Sequence, residues 1–395
     1  MSGGDQSLHG LVHDATIVLC CGTGGVGKTT TAAALAIAAA RAGRRTVVIT
    51  VDPARRLASA LGVNALTNEP QPLHGWEDEA AVAGGSLDAL MLDSKTTFDQ
   101  LVAREARTAE QAERILSNGF YRNISSALGG TQEYMAIEKL YDLHTSGNYD
   151  VVIVDTPPTR HALDVLDAPA RLLRLLENPL FRTLMLPTRT PLRIVGNALQ
   201  GLLRNIARTV GAEVLDDAVA FFRAFEGMES GFRERAHAVE TLLGQPTTAF
   251  VVVTTLQRDA IIETRYFADR LHELGHAVNG LVINRVLPKF GSASPESLRI
   301  RAASLAAHGS PAGPPGLSDD ARQAAITLAG RMRVHAALRA IAVREGELAH
   351  TLGALIPEAA QCEVPLFATD VHDLEGLSVL ADLLGRSEDQ APEAE

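Results

Sequence analysis

Thiol chemistry is the first thing this chain is short of. It has three cysteines: Cys20 and Cys21, which are adjacent, and the distant Cys362. That set builds no disulfide framework and fits a reducing compartment. Adjacent strand residues face opposite ways, so Cys20 and Cys21 cannot converge on one soft ion. No C-x-x-C pair occurs, and the scattered histidines show no metal-ligand spacing. No uncharged apolar stretch is long enough to cross a bilayer. The Gly- and Ser-rich N-terminus lacks the apolar core of a signal peptide. These absences lead us to expect a cytoplasmic protein, at most peripheral to a membrane. Positive charge is short too: the formal net charge is −11, which argues against nucleic acid as a partner. Lysine is confined to Lys28, Lys95, Lys139 and Lys289. A lysine inside a motif is therefore not a product of background frequency.

What is present is a chain of 395 residues, 46% hydrophobic and 21% charged, long enough for a sizeable core. Its most informative run is Gly22-Thr23-Gly24-Gly25-Val26-Gly27-Lys28-Thr29-Thr30, which fits the phosphate-binding pattern G-x-x-x-x-G-K-[ST]. The context is the one this pattern needs. An apolar run, Ala15 to Cys21, reads as the entering strand, and the Ala-rich stretch Thr30 to Arg41 reads as the following helix. Four glycines let several backbone N–H groups face one point, and the helix start adds its positive end. Lys28 is placed to reach the β- and γ-phosphates of a nucleotide, and the Thr29 hydroxyl to hold Mg²⁺.

Strand-like and helical runs alternate, which predicts an α/β fold: a mostly parallel sheet covered by helices on both faces. Further strands are expected at Arg45 to Val51, Leu87 to Leu92, Val151 to Val154, Ala249 to Val253, Val278 to Ile283 and Cys362 to Leu366. Helical spacing marks Lys95 to Asn118, Gln132 to Thr145, Ala260 to Leu274, Arg331 to Leu352 and Leu374 to Leu384. Leu163 to Leu243 is helical throughout and reads as an insertion. Phe290 to Leu317 is rich in Gly, Pro, Ser and Ala and reads as a loop with room for one short helix. The expected division is a nucleotide-binding core at 12–162 and 246–385, a helical subdomain at 163–245, and a disordered acidic tail at 386–395.

Two aspartates end strands. Asp52 lies in Thr50-Val51-Asp52-Pro53-Ala54, and Asp155 opens Asp155-Thr156-Pro157-Pro158-Thr159. Ligands bind at the carboxyl ends of strands in open α/β sheets. Asp155 is placed to fix Mg²⁺, directly or through water, and Asp52 to orient the attacking water or take its proton. Either one alone is more often a cap or turn residue; together with the loop they point to a nucleotide site.

These motifs resemble the ArsA-type ATPase family, which includes the arsenite-pump ATPase and the ATPase that targets tail-anchored membrane proteins. The first switch of that family is similar to Asp52-Pro53-Ala54, with Arg55 where a histidine is usual. The second, DTxPTGH, resembles Asp155 to His161, with Arg160 for the glycine. Glu263-Thr264-Arg265 resembles the family's ET-R helix. Gln132-Glu133-Tyr134 through Tyr149-Asp150 looks like its bacterial, especially actinobacterial, branch. The resemblance implies a P-loop ATPase acting on ATP with Mg²⁺. It also implies that Asn284 and Pro365 (of Val364-Pro365-Leu366) lie on the adenine side.

The family pattern further implies a homodimer, or a heterodimer with a homologous ArsA-type ATPase, whose helical subdomain moves with the ATPase cycle. Thr23 is a departure. Loops of this deviant kind carry there a second lysine that touches the partner's nucleotide. A partner that keeps the lysine, or a local arginine such as Arg55 or Arg160, could supply the missing charge. A low-turnover regulatory subunit of a heterodimer is the alternative reading, and a targeting factor for apolar segments a third. A partition or septum-placement ATPase fits the long insertion and the second switch poorly. Asn178 to Gly211 carries Arg182, Arg189, Arg193, Arg204 and Arg208 with many apolar residues and no acidic one. It suits either an anionic membrane surface or apolar client, or plain packing with its arginines in solvent.

Overall fold

The computed structural model describes residues 7–385 other than 53–55, 78–83, 120, 122–130, 158, 178–211 and 311. The Arg-rich segment, the acidic C-terminal residues, Arg55 and the side chain of Arg160 lie outside what it describes.

Eight strands form one sheet: β1 (Ile17–Cys21), β2 (Arg45–Thr50), β3 (Gln71–Pro72), β4 (Ser86–Met91), β5 (Val151–Asp155), β6 (Thr248–Thr254), β7 (Gly280–Val286) and β8 (Ala360–Pro365). Their order is β3-β4-β2-β5-β1-β6-β7-β8, and every pair is parallel except β3 with β4. The expected α/β architecture is thus present, with a short antiparallel edge strand that no sequence pattern announced. β1 sits centrally, paired to β5 on one side and β6 on the other. The chain leaves β1 for β2 across β5, so the order reverses beside β1. Such a switch point opens a crevice at the strands' carboxyl ends.

Residues alternate between the two faces with the strand period of two. Ile17, Leu19 and Cys21 join one apolar cluster with Val152, Val154, Phe250 and Phe267. Val18 and Cys20 join the other with Ile153, Val251, Leu35 and Ile37. Cys20 and Cys21 therefore do lie on opposite faces. The Lys28–Arg41 helix is buried nearly all round, with Ala32, Ala33, Ala34, Ala36 and Ala40 at 0% exposure. With Ala39 these make six buried alanines, which let the helix lie close under the sheet while helix propensity stays high. Its first turn is thereby fixed relative to β1.

Three described helices, Thr159–Glu177, Ala212–Ala224 and Glu229–Leu243, connect β5 to β6. Their apolar residues Val165, Phe221, Phe225 and Phe232 share the first cluster. A charged cluster backs them: the fully buried Glu138 side chain pairs with Arg104 at 2.8 Å and with Arg235, and Asp142 pairs with both arginines. Glu138 is held above the usual carboxylate range by burial, which the arginines counter.

Two expectations about elements are revised. Lys95 to Asn118 is two helices, Ser94–Glu105 and Ala109–Leu116, because Thr108 caps a new start by accepting from Gln111 N–H. Phe290 to Leu317 holds a full helix, Pro295–Gly309, and the helix read from Arg331 begins at Asp319 and runs to Leu355. These two pack closely; a Cβ on Gly309 would stand 2.6 Å from Ile326.

Candidate active site

The loop leaving β1 turns hard against β6. Gly22 has φ +154°, and a Cβ there would lie 2.1 Å from the Val253 carbonyl oxygen. Gly27, with φ +101°, caps the Lys28–Arg41 helix in the left-handed region. Only glycine meets both the conformation and the approach at these two positions. The helix start has no side-chain cap, so its first N–H groups and dipole remain turned toward the loop.

Gly24, Gly25, Gly27, Lys28, Thr29, Thr30, Asp52 and Asp155 line one cleft of about 350 Å³, together with Thr156 and Pro157. Most of the residues singled out from the sequence thus converge on a single cavity. Gly22 and Val26 lie buried beneath the loop, and Thr23 is half-buried at its shoulder. The Thr23 carbonyl accepts a 2.8 Å bond from Lys28 Nζ. Burial lowers the Lys28 pKa, and the charge of Asp155 partly restores it.

Asp155 is the buried centre, 1% exposed. Its position follows from register: it stands beside Cys20 on β1 and Thr50 on β2. Asp155 Oδ2 accepts from Thr29 Oγ1 at 2.7 Å and from Thr50 Oγ1 at 3.0 Å. Oδ1 is buried and has no hydrogen-bond partner among the described residues. Desolvation raises the Asp155 pKa, against the two hydroxyl bonds and Lys28. An unsatisfied carboxylate oxygen so placed costs several kcal/mol unless a cation comes to it. Beneath it, burial pushes the Cys21 thiol up to about 12 and the Cys20 thiol well above its ordinary value. Both are unreactive as thiols.

Asp52 follows β2. Its N–H donates to Thr50 Oγ1 at 3.2 Å, and its Oδ2 lies 3.6 Å from Arg56 Nη1. Gln132 Nε2 donates to the Val51 carbonyl at 3.0 Å, which ties the Thr131–Thr145 helix to this strand end.

Asn284 is inside β7 rather than after it. Two residues, Asn284 and Arg285, oppose Val364 alone between the pairs Ile283–Glu363 and Val286–Pro365. This bulge turns Asn284 toward the loop, where its Nδ2 donates to the Val26 carbonyl at 2.7 Å. Arg285 takes φ +61°, the one positive φ among described non-glycine residues. Pro365 ends β8 and does not line the cleft; Val371 and His372 of the following loop do. Arg56, Ser59, Ala60, Arg285, Val371 and His372 are the members of the cleft that sequence reasoning missed. No motif marks them, since folding alone brings them to it.

The donors here are hydroxyl and carboxylate oxygens, the set a hard cation such as Mg²⁺ prefers. Among the described residues no group of three or more His, Cys, Asp or Glu could hold a metal alone. A cation would share its ligands with phosphate oxygens, as Mg²⁺ does in nucleotide sites. Among the described residues no helix is long and apolar enough to cross a membrane.

The profile of the family described as "Anion-transporting ATPase" matches residues 15–303. The match takes in the loop, both aspartates and Asn284, and stops inside the Pro295–Gly309 helix. Among curated relatives, ATPase GET3 of Malassezia globosa is 26% identical over 72% of this chain and 77% of its own length. The Aspergillus terreus protein named ATPase get3 is 26% identical over 73% of the chain and 79% of its length. ATPase GET3 of Chaetomium globosum is 27% identical over 69% and 73%.

Proposed function

This chain belongs to the anion-transporting (ArsA-type) ATPase family and is an ATPase by that membership; from there we propose that it hydrolyses ATP with Mg²⁺ in the cleft above β1 and β5. The observation that carries the reading is the Thr29–Asp155 hydrogen bond at 2.7 Å, under a phosphate-binding loop and beside Lys28. Phosphate oxygens accept from the N–H groups of Gly24 to Thr30, and the Lys28 ammonium moves from the Thr23 carbonyl to the β- and γ-phosphates. Thr29 Oγ1 and Asp155, directly or through water, hold Mg²⁺. The ion's chemistry is to neutralise phosphate charge.

Asp52 orients a water molecule and accepts its proton. The water oxygen bonds to the γ-phosphorus as the bond to the β–γ bridging oxygen breaks. That electron pair leaves with ADP. Asn284 holds the loop through Val26, beside where the adenine would lie, and Pro365 shapes the same side through its pairing with Val286.

The core at 12–162 and 246–385 forms one nucleotide-binding unit in this reading. The helices of 163–245 form a subdomain that moves with hydrolysis. Pairing with a second ArsA-type subunit, the same chain or a homologue, completes the switch in a cytoplasmic or membrane-peripheral setting. An apolar client is its object. Relatives named as ATPases, similar over more than two thirds of the chain, support this reading. Thr23 favours a second reading, a subunit of low turnover in a heterodimer, because threonine brings no charge to a partner's phosphates.

The test is binding of a fluorescent ATP analogue with turnover of the chain alone. Lys28→Ala is expected to weaken binding at least tenfold and abolish hydrolysis. Equal binding by both proteins would refute the site.

A further inference from the structure

Phosphoryl transfer builds negative charge at the γ-phosphate, and a cation brought to it accelerates the reaction by roughly 10³–10⁵. Thr23 offers no such cation. The cleft itself contains one on the Asp52 side. Arg56 opens the Arg56–Ala60 helix and lines the same cavity as Lys28, Thr29 and Asp155. Its Nη1 lies 3.6 Å from Asp52 Oδ2, and its side chain is 65% exposed. A guanidinium with five donors, held at arm's length by one carboxylate, can turn its fork to a phosphate oxygen at small cost.

Resting on the nucleotide site proposed above, we infer that Arg56 touches the γ-phosphate and supplies in cis the positive charge that Thr23 does not. Among the described residues two arginines line the cleft, and the choice between them follows from their neighbours. Arg285 belongs to the β7 bulge, next to Asn284 and Val26, and opens also onto a second groove with Arg258 and Arg344. It lies on the base side. Arg56 lies with Asp52, where the attacking water is held. It is also near enough to Lys28 to push that pKa down, a small effect beside burial. Among the described lining residues Lys28, Arg56 and Arg285 stand against Asp52 and Asp155 in charge, an excess of positive charge that suits a magnesium-bound nucleoside triphosphate. Arg56 makes and breaks no covalent bond. It relaxes its pairing with Asp52 as the phosphate arrives.

The test uses the full chain and its Arg56→Ala and Arg56→Lys variants. Three quantities are read: affinity for a fluorescent ATP analogue, single-turnover hydrolysis, and trapping of ADP with aluminium fluoride, which mimics the transferring phosphoryl group. Arg56→Ala is expected to bind the analogue within about threefold of the unaltered chain. Its hydrolysis should fall by about 10³-fold, in line with removal of such a cation, and its trapping should be lost. Arg56→Lys should fall between, because it keeps the charge without the fork. Hydrolysis by Arg56→Ala within threefold of the unaltered rate overturns the assignment. So does slow hydrolysis with trapping intact, since Arg56 would then act only by holding Asp52. An unaltered chain that fails to bind the analogue overturns the nucleotide site itself, and this assignment with it.

Discussion

The contact between Gly27 and Asn284 allows a quantitative test of how the loop is held. Gly27 sits at φ +101°, and a Cβ placed on it would stand 2.3 Å from Asn284 Nδ2 and 3.5 Å from its Cγ. Gly27→Ala therefore meets two penalties. An alanine in the left-handed region costs about 1–2 kcal/mol. The methyl also drives Asn284 off the Val26 carbonyl, losing a 2.7 Å hydrogen bond that is worth about 0.5–1.5 kcal/mol net. The sum is about 1.5–3.5 kcal/mol. Asn284→Ala alone loses only the hydrogen bond. In the double variant the clash is gone and the bond cannot be lost twice, so its destabilisation should fall short of the sum by about 1 kcal/mol or more. Urea titration of the four proteins, with slopes unchanged, measures this coupling. Additivity to within about 0.5 kcal/mol would show that Asn284 does not brace the loop, and would remove the physical basis for its place in the site. ATP affinity in the same four proteins should track the coupling, because the displaced backbone carries the phosphate-binding N–H groups.

Asp52→Asn should retain ATP while single-turnover hydrolysis falls about 10²-fold or more; an unaltered rate would remove Asp52 from the mechanism. Asp155 gives a pH signature. Its folded pKa is raised by burial, so the folded state binds its proton more tightly than the unfolded one, and stability falls as pH climbs from the ordinary aspartate value through the raised one. Without Mg²⁺, Asp155→Asn should therefore raise the melting temperature at pH 8 and give little gain near pH 3; a gain independent of pH would refute this. Arg235→Ala leaves the buried Glu138 one arginine short and should cost about 3–5 kcal/mol in urea titration, whereas a cost below about 1 kcal/mol would mean that Glu138 is already neutral.

The cleft lined by the glycine-rich loop was legible because its key signal is local. Glycines at fixed offsets, a lysine in a lysine-poor chain and an Ala-rich helix all fall within twenty residues, and the structure places them as that pattern requires. The aspartates were legible as strand ends. The bulge at Asn284 was not, since a bulge is a mismatch between two strands and β8 lies some eighty residues further along the chain. Arg56 was hidden in the same way: the sequence offered Arg55 and Arg160, and only the fold shows that Arg56 lines the cleft. The Pro295–Gly309 helix, allowed for only as a short one within a loop, was a reading of composition over signal. Ser294 caps it by accepting from Ser297 N–H, with proline at the first position, a start that Gly- and Ser-rich surroundings obscured.

The Asp319–Leu355 helix has a mechanical property that follows from where it is tied. It is 37 residues long, hence about 55 Å from end to end at 1.5 Å per residue. Glu345 Oε2 accepts from Leu287 N–H at 2.8 Å, just beyond the bulge that braces the loop. That tie lies well off centre, leaving roughly 39 Å of rod on one side and 15 Å on the other. The helix is an unequal beam resting on the strand that holds Asn284. A tilt of about 5° about this support would swing the far tip by about 3 Å. The Pro295–Gly309 helix, packed against the long arm, would be carried with it. Any displacement of the bulge would thus be geometrically magnified at the opposite end of the rod, beyond the last residue of the family match.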